Sequence, residues 1–484
     1  MTDSKRDNSY RSILKGASLF GGIQLFQILI GMVRGKFVAM FLGPAGMGVN
    51  SLFTTTSDFI QRLASLGLNL AIVKEVAAVK EDEETLRKVA AIVRRMVLLT
   101  ATAGGLICLL LAPWLSEFSF GNSDYAPWMM LLGAVVFMTI LWQGEMSVLQ
   151  GLHKVKILSK ASLIGGLTGL AVGVPMYWLW GVKGVVPAML AYALTMLLFY
   201  SISLRRCVGK DGGKILFNEH KPLIKSLLLM GVVLMASDLI GSGCNYMLNA
   251  FVRYTGDLDS VGLWQAANSL TGQYASVVFS AMALDYLPRL SAAVSDGSRF
   301  DDIVNRQTEI VSLLIAPCSA LLITLAPVAV YILLEETFIP AIPLIRLMAF
   351  ALILRGAMYP LGYVTFAKDN KRVFFWLEGV VCNIIMLIFN AIGFMLWGID
   401  GIGIAMAADA LLTLLIYIVV NRRLYGFRFS GRATRCILQS LLLGGAVLAA
   451  SYIPTPWLSY TAMGAVTLIA LLLAATAIRS ILKK

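Results

Sequence analysis

Apolar residues fall into runs of bilayer length separated by short polar connections. A hydrocarbon core takes about 20 helical apolar residues to cross, and that rule predicts about fourteen spans. Their limits are residues 12–34, 46–72, 93–116, 127–150, 157–180, 183–204, 222–250, 259–288, 308–334, 343–366, 373–397, 402–421, 434–454 and 457–478. The second, GMGVNSLFTTTSDFIQRLASLGLNLAI, stands out. On one continuous helix Ser51, Thr54, Asp58, Arg62, Ser65 and Asn69 share a narrow stripe. A charge near the middle of a bilayer costs roughly 2.5 to 3.5 kcal/mol, so such a stripe faces protein or a water-filled cavity. It reads as one wall of a substrate path.

Other spans carry similar faces. Gln24, Gln27 and Arg34 share one in the first span, Asp238, Ser242, Asn245 and Asn249 in the seventh, and Gln265, Asn268, Gly272 and Ser276 in the eighth. The first and seventh spans also align, SILKGASLFGGIQLFQILI with PLIKSLLLMGVVLMASDLI, as do GVNSLFTTTSDF of the second and GLWQAANSLTGQY of the eighth. An even number of spans between copies preserves orientation, which predicts parallel repeats about an axis along the membrane normal. The expected fold is an all-α integral membrane protein. Two pseudo-symmetric six-helix lobes, residues 1–206 and 207–432, surround a central cavity, and two additional helices occupy 433–484. Arg355 of the tenth span and Glu378 of the eleventh are further candidates to line that cavity.

Composition agrees. The 484 residues have 58% hydrophobic and 14% charged side chains, and the mean hydropathy is +0.80, so the chain is a polytopic membrane protein with no visible soluble domain. The net charge of +13 is not a nucleic-acid signature, because the basic residues cluster on alternate connections. Among these clusters are Lys74 to Arg95, Lys154/Lys156/Lys160, Lys368/Lys371/Arg372 and Arg422 to Arg435. The positive-inside rule then places both termini in the cytoplasm. The apolar run after the N-terminus has no small-residue cleavage site, so no removable signal peptide is expected. Six isolated cysteines and two loop histidines, His153 and His220, offer no metal or redox site. GKDGGK at 209–214 lacks the full phosphate-loop pattern and no nucleotide-binding domain is visible, which argues against ATP hydrolysis, and no cofactor is expected. The outer loops are too short to house catalysis, so the protein is not expected to be an enzyme.

The run RGKFVAMFLGPAGMGVNSLFTTTSDFIQRLASLGLNLAIVKEVA, residues 34–77, resembles the N-terminal signature of polysaccharide flippases. There an Arg ends the first helix, LGP-x-G-x-G opens the second and GL-x-x-A-x-V-[KR]-E-[IV]-A closes it. The chain is similar to the O-antigen translocase (Wzx-type) group of the multidrug/oligosaccharidyl-lipid/polysaccharide exporter superfamily. That resemblance implies a flippase for undecaprenyl-diphosphate-linked glycan in the bacterial inner membrane, acting in O-antigen, lipopolysaccharide or related polysaccharide biosynthesis. A more distant likeness to the lipid-linked peptidoglycan precursor flippase implies that the last two helices form a groove for the lipid tail.

Such a substrate has a diphosphate, a glycan and a polyprenyl tail. Guanidinium forks suit the diphosphate, and the candidates are Arg34, Arg62 and Arg355, with Arg253 and Arg346 nearer the outer mouth. Gln24, Gln27, Asn245, Asn249, Asn268 and Gln273 are candidates for the glycan. Each has a structural alternative. Asp58 and Arg62 are spaced to neutralise each other, and snorkelling competes with a site role for Arg34 and Arg253. Glu145 reads as an interface anchor near the cytoplasmic end. Asp58, Asp238, Glu378 and Asp409 are candidates for ion pairs or for a coupling ion, H+ or Na+. Two competing functions remain open. They are a cation-coupled multidrug antiporter of the same fold, whose cavity would favour carboxylates and aromatics, and a membrane-embedded polysaccharide polymerase, which the short outer loops disfavour.

Overall fold

The computed structural model describes residues 3–80, 82–208, 221–294 and 296–482, and each predicted span falls on a helix. No strand occurs among the described residues. GKDGGK and His220 lie outside them, and the side chain of Gln24 lies outside the description as well. Among the described residues nine helical stretches are long and apolar enough to cross a membrane; 155–208 and 371–425 each hold two predicted spans joined by a tight turn. Large apolar side chains such as Leu99, Leu110 and Leu442 are exposed, as lipid contact requires. Trp114, Trp178, Trp180, Trp397 and Trp457 are exposed at helix ends on one predicted side, the placement of an interfacial aromatic belt.

The first helical run, Asp3–Ser65, is two helices joined at Gly43, whose φ of 64° favours glycine. Pro44 then starts the second helix at a position that needs no backbone donor. A second break corrects the sequence reading. The span 46–72 is not one helix, because Leu66 (φ 50°) and Gly67 (φ 65°) adopt left-handed conformations and a separate helix, Leu68–Val79, follows. Asn69 therefore leaves the stripe.

Helix starts on the connections are capped by aspartates. Asp82 accepts from the amides of Glu84 and Thr85 and from the Thr85 hydroxyl, which holds its carboxyl below the usual carboxylate range. Asp296 does the same for the helix Gly297–Leu333, with the Arg299 amide as the leading cause of its lowered value.

Chain contacts define two compact units, residues 1–254 and 255–484. In the first, Phe120 stacks on Tyr125 at 4.0 Å and packs against Phe53 at 5.0 Å. In the second, Tyr286, Leu290, Phe300, Leu361, Leu377 and Tyr417 form a buried cluster. Its last two helices dock through small polar contacts. Ser440 donates to the Ser312 carbonyl at 3.0 Å, and Thr324 meets Thr467 at 3.0 Å.

The units repeat each other in backbone detail where their sequences do not match. The turn before the fifth span bonds Leu152, His153 and Lys154 amides to the Val148, Gln150 and Leu149 carbonyls at 3.0, 2.9 and 3.2 Å. The turn before the eleventh bonds Lys368, Asp369 and Asn370 to Val364, Phe366 and Thr365 at 3.0, 3.1 and 3.2 Å. His153 and Asp369 are both left-handed, with φ of 53° and 51°. Later in each hairpin, Gly181 and Gly398 have φ of 54° and 61°. A Cβ on Gly184 would lie 2.1 Å from the Met176 carbonyl oxygen, and one on Gly401 1.9 Å from that of Gly393.

Candidate functional site

The second helix brings only the middle of the stripe to an exposed face. Asp58 and Arg62 are both exposed there. Arg62 does not stop at its neighbour one turn earlier. Its Nη1 reaches Asp238 Oδ2 of the seventh span at 3.3 Å, with side chains 48% and 69% exposed, while Asp58 feels the same guanidinium. The ion pair that Arg62 makes thus joins two helices, where the spacing suggested one within a single helix. Deeper on the helix, Ser51 donates to Asn249 Oδ1 at 3.3 Å, and Asn249 Nδ2 donates back to the Asn245 carbonyl at 2.8 Å. Asn249 is fully buried and locks the seventh span to the second; Asn245 is half-buried.

A part-buried polar chain runs across the Leu66–Gly67 break. Asn69 donates to Gln143 at 3.4 Å, Gln143 to Gln61 at 3.3 Å and Gln61 to Ser57 at 2.6 Å. Gln61 and Gln143 were missed because an unbroken helix keeps Asn69 on the stripe and leaves no reason to pair them.

Four of the five expected arginines have protein partners that are not exposed carboxylates. Arg34 does not snorkel. Its Nε and Nη2 donate to the Tyr177 hydroxyl at 3.3 and 3.2 Å, and its guanidinium lies 5.4 Å from the Tyr192 ring centre. Arg253 Nη2 donates to the Phe120 carbonyl at 3.1 Å, where the helix Ala112–Phe120 ends with an unfilled acceptor. Arg346 Nε donates to the Ile323 carbonyl at 3.3 Å. Four residues on stands Pro327, which has no N–H to give that carbonyl, so Arg346 replaces the missing helix donor. Arg355 Nη2 lies 4.0 Å from Asp409 Oδ2; the arginine side chain is 33% exposed and the aspartate 7%. Thr413 donates to the same aspartate at 3.3 Å.

The remaining expected residues are dispersed. Gln27 donates to Ser162 of the fifth span. Asn268 and Gln273 are half-buried on the eighth span, and Gln273 Oε1 is buried without a hydrogen-bond partner. Glu145 has a partner within the protein. It accepts from Ser201 at 2.8 and 2.7 Å and lines a cavity of about 190 Å³ with Arg94, Val97 and Leu204. Glu378 stands on a π-helical turn, Phe375–Val381, against Gly362 and beside Tyr417. Tyr177, Tyr192 and Tyr417 carry no sequence signal as partners, since each looks like an ordinary core or interface aromatic.

Comparisons place this arrangement among known proteins. A family model described as "Polysaccharide biosynthesis protein" matches residues 37–343. The chain is 24% identical over 420 residues to the "Lipid III flippase" of Escherichia coli (strain K12), covering 84% of this chain and 96% of that one. Its fold is similar to "Lipid II flippase MurJ, inward closed conformation", with a TM-score of 0.74 and 13% identity over 96% of this chain and 100% of the other. It is also similar to an inward-facing multidrug resistance MATE family transporter of the MOP superfamily, with a TM-score of 0.70 and 17% identity over 85% and 98% of the two chains. The structural likenesses establish a shared fold.

Proposed function

The chain belongs to the polysaccharide biosynthesis protein family, and from that premise we infer that it is a flippase. It moves an oligosaccharide linked to undecaprenyl diphosphate from the cytoplasmic to the outer leaflet of a bacterial inner membrane. It acts as a carrier and not as an enzyme, its two halves exposing the site to each side in turn. The name of its Escherichia coli relative supports that reading.

The observation that carries the proposal is the exposed Arg62, paired with the exposed Asp238 of another helix. An exposed ion pair is worth about 0 to 1 kcal/mol, so Arg62 exchanges its carboxylate for a diphosphate at little cost. The guanidinium fork then takes two phosphate oxygens. Arg355 is held differently, because removing it from the buried Asp409 leaves a charge uncompensated, at about 3 to 5 kcal/mol for a fully buried pair. Arg62 therefore ranks first for the diphosphate. Asn245, Asn268 and Gln273, all half-buried amides, are the candidates for sugar hydroxyls. Export of the negative diphosphate is favoured by an inside-negative potential, at about 2.3 kcal/mol per charge per 100 mV. Return of the empty carrier is coupled to an ion, and both termini face the cytoplasm.

The test is flipping of fluorescent undecaprenyl-diphosphate-oligosaccharide in liposomes containing the purified protein, read by an external glycan-modifying reagent. Flipping that is lost in Arg62→Ala supports the proposal. Vesicles that instead exchange an organic cation for protons, without moving any glycan lipid, replace it with the antiporter reading.

A further inference from the structure

Two clusters occupy one place in the two repeats and differ in a single chemical respect. Ser162 is the eighth residue of the helix that starts at Val155, and Tyr200 stands eight residues before the end of the helix that closes at Val208. The two hydroxyls are neighbours, and Gln27 donates to the same serine. In the second unit Glu378 is the eighth residue of the helical run that starts at Lys371, and Tyr417 stands eight before the end at Tyr425. Tyr417 stands beside Glu378: a Cβ built on Gly362 would lie 2.7 Å from Glu378 Oε1 and 3.9 Å from the Tyr417 ring. A serine in one copy is a carboxylic acid in the other.

The backbone has changed with it. Residues of the turn ahead of the fifth span have counterparts 216 positions later, His153 against Asp369, whereas Gly181, Gly184 and Tyr200 have theirs 217 later, in Gly398, Gly401 and Tyr417. One extra residue lies between, and the π-helical turn that carries Glu378 takes it up. Asn383 Nδ2 fills the Glu378 and Gly379 carbonyls, both at 2.9 Å. Opposite, Gly362 leaves room for the carboxylate; a Cβ there would stand 2.7 Å from Glu378 Oε1. Cys382 Sγ lies 3.9 Å from the Tyr417 oxygen.

Among the described residues no cation is recorded against Glu378. Lys368 turns to the Val294 carbonyl at 3.1 Å and to the Phe300 ring at 4.3 Å, Lys371 to Asp369 at 3.9 Å, and Arg355 to Asp409 at 4.0 Å. Arg372 is exposed. Of the neighbouring tyrosines, Tyr359 meets Tyr363 at 3.2 Å and Tyr286 donates to the Pro360 carbonyl at 2.9 Å. An unpaired charge at membrane depth is costly, and a proton removes it.

We propose that Glu378 and Tyr417 form a proton-binding site inside the second unit, in which the Glu378 carboxylate takes up one proton and releases it, with Tyr417 as its hydrogen-bond partner. A proton fits better than Na+, because Asn383 already occupies two carbonyls of the turn that would have to ligate a metal ion. The site rests on the transport reading for its use in a cycle, but not for its existence.

The test uses the full-length protein in lipid nanodiscs, without glycan lipid, and infrared difference spectroscopy between alkaline and acidic pH. A protonated-carboxyl band that rises on acidification, is lost in Glu378→Gln and shifts in frequency in Tyr417→Phe supports the site. A band set unchanged in a Glu378→Gln protein that still elutes as a single folded species overturns it. If Glu378→Gln does not fold, Tyr417→Phe decides alone, and an unshifted band overturns the site. Suppression of the band by sodium chloride at constant pH overturns the choice of proton over metal ion. Because no glycan is present, a negative result here leaves the flippase proposal standing, and failed flipping leaves this site standing.

Discussion

The hairpin of the fifth and sixth spans and that of the eleventh and twelfth share their entry turn, their positive-φ glycine and their glycine contact at the bend, yet they hold different side chains at matching places. Ser162 faces Tyr200 where Glu378 faces Tyr417. Tyr192, which receives the Arg34 guanidinium over its ring, stands where the second copy has Asp409 paired with Arg355. The first copy is neutral at both places and the second is acidic. Backbone geometry fixes the frame, and the frame accepts either polarity as long as a partner is supplied.

Removing the partner breaks that comparison most severely on the acidic side. Arg355→Ala leaves Asp409 buried and unpaired and should cost about 3 kcal/mol, recovered in good part by adding Asp409→Asn. Arg34→Ala, which removes two hydrogen bonds and a cation–π contact from neutral tyrosines, should cost about 1 to 2 kcal/mol. Thermal unfolding of the detergent-solubilised variants reads both. Equal losses would erase the distinction between the copies.

The shared frame is tested next. Gly184→Ala and Gly401→Ala each force a Cβ onto a backbone carbonyl and should destabilise by similar amounts, about 2 to 3 kcal/mol. Tolerance at one position alone would show that the bends are not equivalent. At the exchanged pair, Ser162→Ala removes the acceptor for Gln27 and a neighbour of Tyr200, and should cost about 1 kcal/mol in the same melts.

The smallest effect belongs to the caps, where the copies should behave alike. Asp82 and Asp296 have carboxyls lowered by their hydrogen bonds in the folded state. Their contribution is therefore complete above the ordinary unfolded value, about 3.9, and is lost as pH falls through the lower folded values. Asp82→Asn and Asp296→Asn should each lower the melting temperature slightly at neutral pH and leave it unchanged in strong acid.

Much of the frame was legible in the sequence. Apolar run length placed the predicted spans on helices, because a bilayer imposes that length. The break after Ser65 was not legible, since the apolar and polar periodicity runs through Leu66 and Gly67 while their backbone turns left-handed. Arg62 and Asp238 were each singled out as charges in apolar spans, but their contact joins helices distant in sequence. Arg253 and Arg346 drew attention for the same reason as Arg62, and only packing shows that they fill carbonyls at a helix end and above a proline. The repeat was visible where residues match, in the first and second spans. It was invisible in LHK and KDN, where only hydrogen bonds match.

The extra residue in the eleventh span has a mechanical meaning. One residue of α-helix is about 100° of rotation and 1.5 Å of advance. The turn Phe375–Val381 stores that increment within a single coil. Rewinding it as ordinary α-helix would turn and push everything beyond it, as a screw turned by a little over a quarter of its thread both rotates and advances.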